Sequence, residues 1–100
     1  MKNKVVSIII PCFNEAKTII TVLEQIASIE LIRALKKEII LINDGSEDET
    51  LSLVKNFSKV NKEVQLKVIS NSKNKGKGAS IRKGIQSSTD DFILIQDADL

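Results

Sequence analysis

Val5-Val6-Ser7-Ile8-Ile9-Ile10-Pro11-Cys12-Phe13-Asn14-Glu15 is the stretch from which the fold can be read. Apart from Ser7, the six residues before Pro11 are all β-branched, and they do not alternate with polar ones. A strand with one wet face alternates; an unbroken apolar run suits a strand covered on both faces, as in a parallel sheet. Pro11 has no N–H for a sheet ladder, so it is expected to end the strand and open a loop running to Glu15. Asn14 is then the expected cap of the helix that follows.

Downstream the period changes. From about Ala16, the residues Ile19, Ile20, Leu23, Ile26 and Ala27 recur at helical spacing, which predicts an amphipathic helix to about Ile32. Glu38-Ile39-Ile40-Leu41-Ile42 is a second buried strand, opening into Asn43-Asp44-Gly45-Ser46-Glu47-Asp48-Glu49-Thr50. Ser46 and Glu49 have the spacing of a capping box. The helix behind it should bury Leu51, Val54 and Phe57 and end in a polar, loop-like tail from Ser58 to Glu63. Leu66–Ile69 is a third, shorter strand, followed by a loop rich in Lys and Gly from Asn71 to Gly78. A short helix is predicted from about Ala79 to Gln86, with Ile81 and Ile85 inward. Gly84 inside it costs roughly 1 kcal/mol relative to Ala, which points to a close packing contact. With Phe92–Ile95 as the fourth strand, the order is β-α-β-α-β-α-β. That order predicts an α/β fold, a mostly parallel sheet with right-handed crossovers and helices on its faces.

The fourth strand ends in Gln96-Asp97-Ala98-Asp99-Leu100. Residues i and i+2 of a strand share a side, so the Asp97 and Asp99 carboxylates face the same space. Such a pair repels unless a cation lies between, and ligands that are all oxygen suit Mg²⁺ or Mn²⁺, which complete their shells with water and phosphate oxygens. Taken alone, the pair reads equally well as a polar turn after a buried strand. Its position favours a metal–diphosphate anchor. Ligands of parallel sheets bind outside the carboxyl ends of the strands, and Pro11–Glu15, Asn43–Asp48, Asn71–Gly78 and Asp97–Asp99 all follow strands at that edge.

Composition excludes several alternatives. One hundred residues, 42% hydrophobic and 28% charged, describe one globular domain at most. A net charge of +2, no Trp or Tyr and three Phe give neither a basic surface nor a stacking platform for nucleic acid. The absence of His excludes His-ligated zinc and a Ser-His-Asp triad. Cys12 stands alone, which fits a reducing, cytoplasmic compartment and a small filler rather than a nucleophile. No apolar stretch nears the roughly 18 residues that cross a bilayer.

Two phosphate-binding loops can also be set aside. A dinucleotide fold carries Gly-x-Gly-x-x-Gly directly after its first strand, where this chain has Pro11-Cys12-Phe13-Asn14-Glu15. Gly76-Lys77-Gly78 lacks the spacing of a P-loop. Four stretches instead resemble successive motifs of family-2 glycosyltransferases: Ile8–Glu15, Leu41–Asp48, Asn74–Arg82 and Gln96–Leu100. Within that family they are most similar to the polyprenyl-phosphate branch, the dolichyl-phosphate mannose and glucose synthases. Asn43 departs from the pattern, since many members carry Asp there; Asp44 retains the second position.

The resemblance implies a GT-A, Rossmann-like nucleotide-binding half that transfers sugar with inversion from a UDP- or GDP-sugar. The implied acceptor is a polyprenyl phosphate at the cytoplasmic face of a membrane. It implies that Pro11, Asn14 and Glu15 line the nucleotide, with Glu15 near the ribose or base, and that Asp44 accepts a hydrogen bond from the nucleobase. Asp97 and Asp99 would be the catalytic and metal-binding pair, holding the diphosphate through Mg²⁺ or Mn²⁺, with Lys77 and Arg82 beside it. Read without the resemblance, Asp44 is a turn residue before Gly45, Glu15 a first-turn helix acid, and Arg82 a residue on a helix's wet face. The rival of another class is a non-catalytic nucleotide- or Mg²⁺-binding module with the same pocket. Residues 1–100 are expected to be the N-terminal part of a longer enzyme, cut after its acidic motif, inactive alone and prone to self-association through uncovered apolar surface.

Overall fold

A computed structural model of the chain describes residues 4–29, 35–88 and 91–99. Four strands, β1 (Lys4–Cys12), β2 (Leu35–Asp44), β3 (Leu66–Asn71) and β4 (Phe92–Ile95), alternate with three helices, α1 (Ile19–Ser28), α2 (Thr50–Val60) and α3 (Lys77–Ser87). The strands form one parallel sheet in the order β3-β2-β1-β4. The chain therefore moves outward from β1 to β3, then returns to place β4 on the other side of β1. With right-handed crossovers, reversing the direction of travel moves the connecting helix to the opposite face. The packing follows this rule. Val6, Ile8, Ile10, Ile39 and Leu41 form one core with Ile19, Val22, Leu23 and Ile26 of α1 and Val54 and Phe57 of α2. Ile9, Ile40 and Ile42 lie in a separate cluster, and α3 covers that face at such close range that a Cβ on Gly84 would lie 2.5 Å from Ile9 Cγ2. The contact anticipated from Gly84 is therefore present.

Several local expectations are corrected. Pro11 does not end β1; it pairs with Ile42 inside the strand. Ile9 O accepts Gln96 N–H, so by strand alternation the Pro11 nitrogen faces the β4 side, beyond the last β1–β4 pair, Ile9 with Ile95. No ladder bond is lost there. The first helix begins at Ile19 rather than Ala16, with Thr18 at its N-cap and no side-chain cap. It ends at Ser28, where the Lys37 ammonium donates to the orphan carbonyls of Ile26, Ala27 and Ile29; Ile32, its expected end, lies outside the described residues. The Ser46–Glu49 capping box does not form, because α2 starts at Thr50 with Glu49 at the N-cap and no side-chain cap bond. Thr50 takes the buried place expected for Leu51, and α2 continues to Val60 through what read as a loop. The third helix starts at Lys77, two residues early, and buries Ser80 and Gly84 while Ile85 is exposed. Only small residues fit against β1 at that distance.

All four residues of β4 are exposed. As the edge strand next to β1, it presents Phe92, Ile93, Leu94 and Ile95 at 39–56% accessibility. The sheet is thus incompletely covered on both faces at this edge, as the shortage of helices suggested.

Candidate functional site

The carboxyl ends of β1 and β4 flank the point where the strand order reverses, and there a cleft of about 540 Å³ opens. Pro11, Glu15, Asp44, Lys77, Asp97 and Asp99, all named from the sequence, line it. Asn14 and Arg82, also named, are not among the lining residues. Phe13, Asn74, Gly76, Ser80 and Ala98 line it without having been anticipated. The Ser80 hydroxyl is fully buried; among the described residues it meets no partner at full hydrogen-bond geometry, but it lies close enough to the Asp44 carboxylate to help lower its pKa.

The acidic segment is held from behind. Ala98 is buried in the main core at 4% accessibility, and its carbonyl accepts the Thr18 hydroxyl at 2.8 Å. With Ala98 anchored inward, its neighbours Asp97 and Asp99 are left exposed in the cleft. The Lys77 ammonium meets Asp97 Oδ1 at 2.6 Å. Hydrogen bonding and charge from Asp97, with the charge of Asp99 added, raise the Lys77 pKa above its ordinary value. A cation thus already stands where two carboxylates face the cleft. Among the described residues no group of three or more His, Cys, Asp or Glu side chains converges. The donor set suits a hard divalent ion held by one or two carboxylates and completed by phosphate oxygens and water.

Asp44 organises the opposite wall. Its register partner across the β2–β3 ladder is Asn71, whose Nδ2 donates to Asp44 Oδ1 at 2.9 Å. The N–H groups of Lys75 and Gly76 donate to Oδ1 and Oδ2 at 2.8 and 2.9 Å. Lys83 Nζ in turn donates to Asn71 Oδ1 at 2.8 Å. Burial alone would raise the Asp44 pKa, but the Asn71 and backbone hydrogen bonds outweigh it and hold the carboxyl below its ordinary value. A group whose folded-state pKa is depressed stabilises the fold above its unfolded pKa and loses that contribution as pH falls through the folded value. Asp44 should therefore support the β3–α3 loop fully at neutral pH and progressively less below about pH 4. Denaturation midpoints of wild type and Asp44→Asn, compared from pH 7 to pH 3, should differ most at pH 7 and converge in acid. A gap that stays constant across the range would rule the carboxylate out as the source.

Asn14 is a brace between loops rather than a cap. It is the one non-glycine with positive φ (53°) among the described residues, a conformation Asn tolerates better than most. Its N–H donates to Ser46 Oγ at 2.9 Å, and its Oδ1 accepts the N–H groups of Glu47 and Asp48 at 2.7 and 3.3 Å. The adjacent Glu15 and Ala16 N–H groups donate to Thr50 Oγ1 and Asp48 Oδ2. The loops after β1 and β2 are thereby tied into one wall. Cys12 is 2% exposed. Burial, with the charges of Glu15 and Asp48 adding to it, pushes its thiol up to about 12, so it is filler and no nucleophile.

The family model for glycosyl transferase family 2 matches residues 7–100. The chain belongs to this family. It is 35% identical over 96 residues to a dolichyl-phosphate beta-glucosyltransferase of Trichomonas vaginalis, covering 91% of this chain and 28% of that protein. It is 34% identical over 96 residues to a poly-beta-1,6-N-acetyl-D-glucosamine synthase of Staphylococcus epidermidis, covering 94% of this chain and 21% of the other. A mannosyltransferase from Pyrobaculum calidifontis, solved in complex with GDP-Man and Mn²⁺, superimposes with a TM-score of 0.86 at 26% identity, over 94% of this chain and 27% of that one. The chain spans about a quarter of the length of these relatives. Its α/β sheet has the GT-A fold of its structural neighbours. No described helix is long and apolar enough to cross a membrane.

Proposed function

We propose that the cleft binds the nucleoside diphosphate part of a UDP- or GDP-sugar together with Mg²⁺ or Mn²⁺, and that the protein transfers the sugar to a polyprenyl phosphate with inversion. One observation carries this reading. Asp97, Asp99, Lys77 and the N-terminus of the eleven-residue α3 converge on one cleft at the switch point of a parallel sheet. A diphosphate needs the combination of charges these groups supply.

Each group has a distinct part. Asp97 and Asp99 would hold the divalent ion, which when bound supplies Lewis-acid stabilisation of the departing diphosphate. Lys77 and the free N–H groups at the start of α3 meet the phosphate oxygens. A carboxylate offers about four lone-pair sites; Asn71, Lys75 and Gly76 occupy three of those on Asp44, and an N–H of the nucleobase would take the fourth in competition with the nearby Ser80 hydroxyl. The buried Ser80 hydroxyl lies beside Asp44 in the same wall. Glu15, behind the brace of Asn14, lies on the side of the ribose or base. The chain contains no His. A polyprenyl phosphate is already ionised and needs no general base, whereas a hydroxyl acceptor would need a carboxylate to act as one. An acceptor of that kind is met at a membrane surface.

Calorimetric titration with UDP and with GDP, each in Mn²⁺ and in EDTA, tests the reading. At least one nucleotide should bind about tenfold or more tightly with the metal, the several kcal/mol of metal assistance allowing more. Absence of binding by either nucleotide to the folded chain, with or without metal, would overturn it.

A further inference from the structure

The Lys77–Asp97 pair breaks a local rule. Lys77 is the first residue of α3, and the first turn of that helix contains no acidic residue. A cation is disfavoured there, because the helix N-terminus is itself the positive end of the dipole. Departures from local preference of this kind concentrate at functional sites. Its backbone cannot easily move, since the preceding Lys75 and Gly76 N–H groups are both tied to the buried Asp44 carboxylate. Its side chain can. The Lys77 and Asp97 side chains are 62% and 57% exposed, and an open ion pair of that kind costs little to break. The neighbouring Lys83 is already engaged, its ammonium on Asn71 Oδ1, and Lys75 does not line the cleft.

We propose that Lys77 is a placeholder cation: its ammonium neutralises Asp97 in the empty cleft, is displaced when a divalent ion arrives with a nucleoside diphosphate, and then pairs with the diphosphate it has admitted. The inference rests on the metal–nucleotide reading of the cleft and adds an exchange of partners to it. An ammonium 2.6 Å from Asp97 Oδ1 and a divalent ion on the same carboxylate repel each other at close range, so each weakens the hold of the other. The flexible four-carbon stem allows the ammonium to swing while α3 stays in place. A bound diphosphate repairs the dipole conflict, since it brings negative charge to the helix N-terminus. Free metal therefore competes with Lys77, whereas metal bound to nucleotide does not.

The sign of the effect should consequently reverse between two conditions. Binding of Mn²⁺, followed by the electron paramagnetic resonance of the free ion, is measured for wild type, Lys77→Met and Lys75→Met, without nucleotide and with saturating UDP or GDP. Without nucleotide, Lys77→Met should bind Mn²⁺ roughly two- to five-fold more tightly than wild type, the range of an exposed ion pair. With nucleotide it should bind more weakly by about the same factor or more, and Lys75→Met should match wild type in both arms. Wild type that binds no Mn²⁺ even with nucleotide would overturn the metal–nucleotide reading itself. Wild type that binds, with Lys77→Met equal or weaker when nucleotide is absent, would overturn the placeholder alone. Equal gains in Lys77→Met and Lys75→Met would reduce the effect to general surface charge and overturn it as well.

Discussion

Replacing Asp99 by Asn should remove most of the metal-dependent part of nucleotide binding, roughly a 100-fold loss of affinity in Mn²⁺ with little change in EDTA. Asp99 faces the cleft beside Asp97 but is not the partner of Lys77, so the substitution removes the proposed metal ligand without breaking that pair. Asn keeps one oxygen and the shape but loses the charge. About 1.4 kcal/mol corresponds to each factor of ten, so the expected loss is about 2.8 kcal/mol, the order expected when a hard divalent ion loses one of two carboxylates. Asp91, the exposed carboxylate at the other end of β4, provides the control; it accepts the Val5 N–H and lies far along the strand from the cleft. Calorimetry on wild type, Asp99→Asn and Asp91→Asn should separate the first variant from the other two. Undiminished Mn²⁺-dependent binding by Asp99→Asn would mean that the second carboxylate of the motif is a turn residue after all.

The second large effect is on stability. Gly45→Ala should cost about 2–6 kcal/mol, a large part of the 5–15 kcal/mol by which a domain is stable. Two penalties act together at this position. Its φ of +74° is strained for any residue with a Cβ, at about 1–3 kcal/mol. The added Cβ would also lie 2.6 Å from both Asn74 N and Lys73 C, backbone atoms that move only if the whole loop shifts, a cost of about 1–3 kcal/mol. Gly76 separates the two penalties, since its φ is +97° but nothing lies within 4 Å of its Cβ position. Gly76→Ala should therefore lose only the conformational part. Urea denaturation of the three proteins should rank them wild type, Gly76→Ala, Gly45→Ala. If Gly45→Ala unfolded no more easily than Gly76→Ala, the approach of the 73–74 backbone would not be the constraint it is here taken to be.

Local capping was the least legible feature, for a specific reason. Asn14 and Ser46 are residue types that bond to nearby backbone, and their positions, Ser46 with Glu49 three residues on, predict helix caps. In the fold the side chains of Asn14 and Ser46 serve the neighbouring loop, where Asn14 Oδ1 meets Glu47 and Asp48 and Ser46 Oγ meets Asn14. A side chain with one acceptor cannot serve both its own helix and the adjacent loop, and nothing in the spacing ranks the two. Ile85 was misread for a related reason. Its helical spacing is apolar enough for an inner face, but α3 approaches Ile9 so closely that Gly84 and Ser80 take that face.

The order of elements, the parallel sheet and the four polar clusters at its carboxyl edge follow from sequence alone. β1, β2 and β4 each contain a nearly continuous apolar run, each helix changes the period, and the direction of every strand fixes which end its loop occupies. The acidic pair was equally visible, because alternation along a strand puts Asp97 and Asp99 on one side wherever that strand lies. What sequence does not contain is the strand order. A right-handed crossover from β3 can carry β4 to either side of the sheet, and packing beside β1 is what sets the acidic pair against Pro11–Glu15. The partners of Asp44 likewise come from the β2–β3 register, which aligns it with Asn71, 27 residues away. Contacts of that range depend on how whole elements pack, and local spacing carries no record of it.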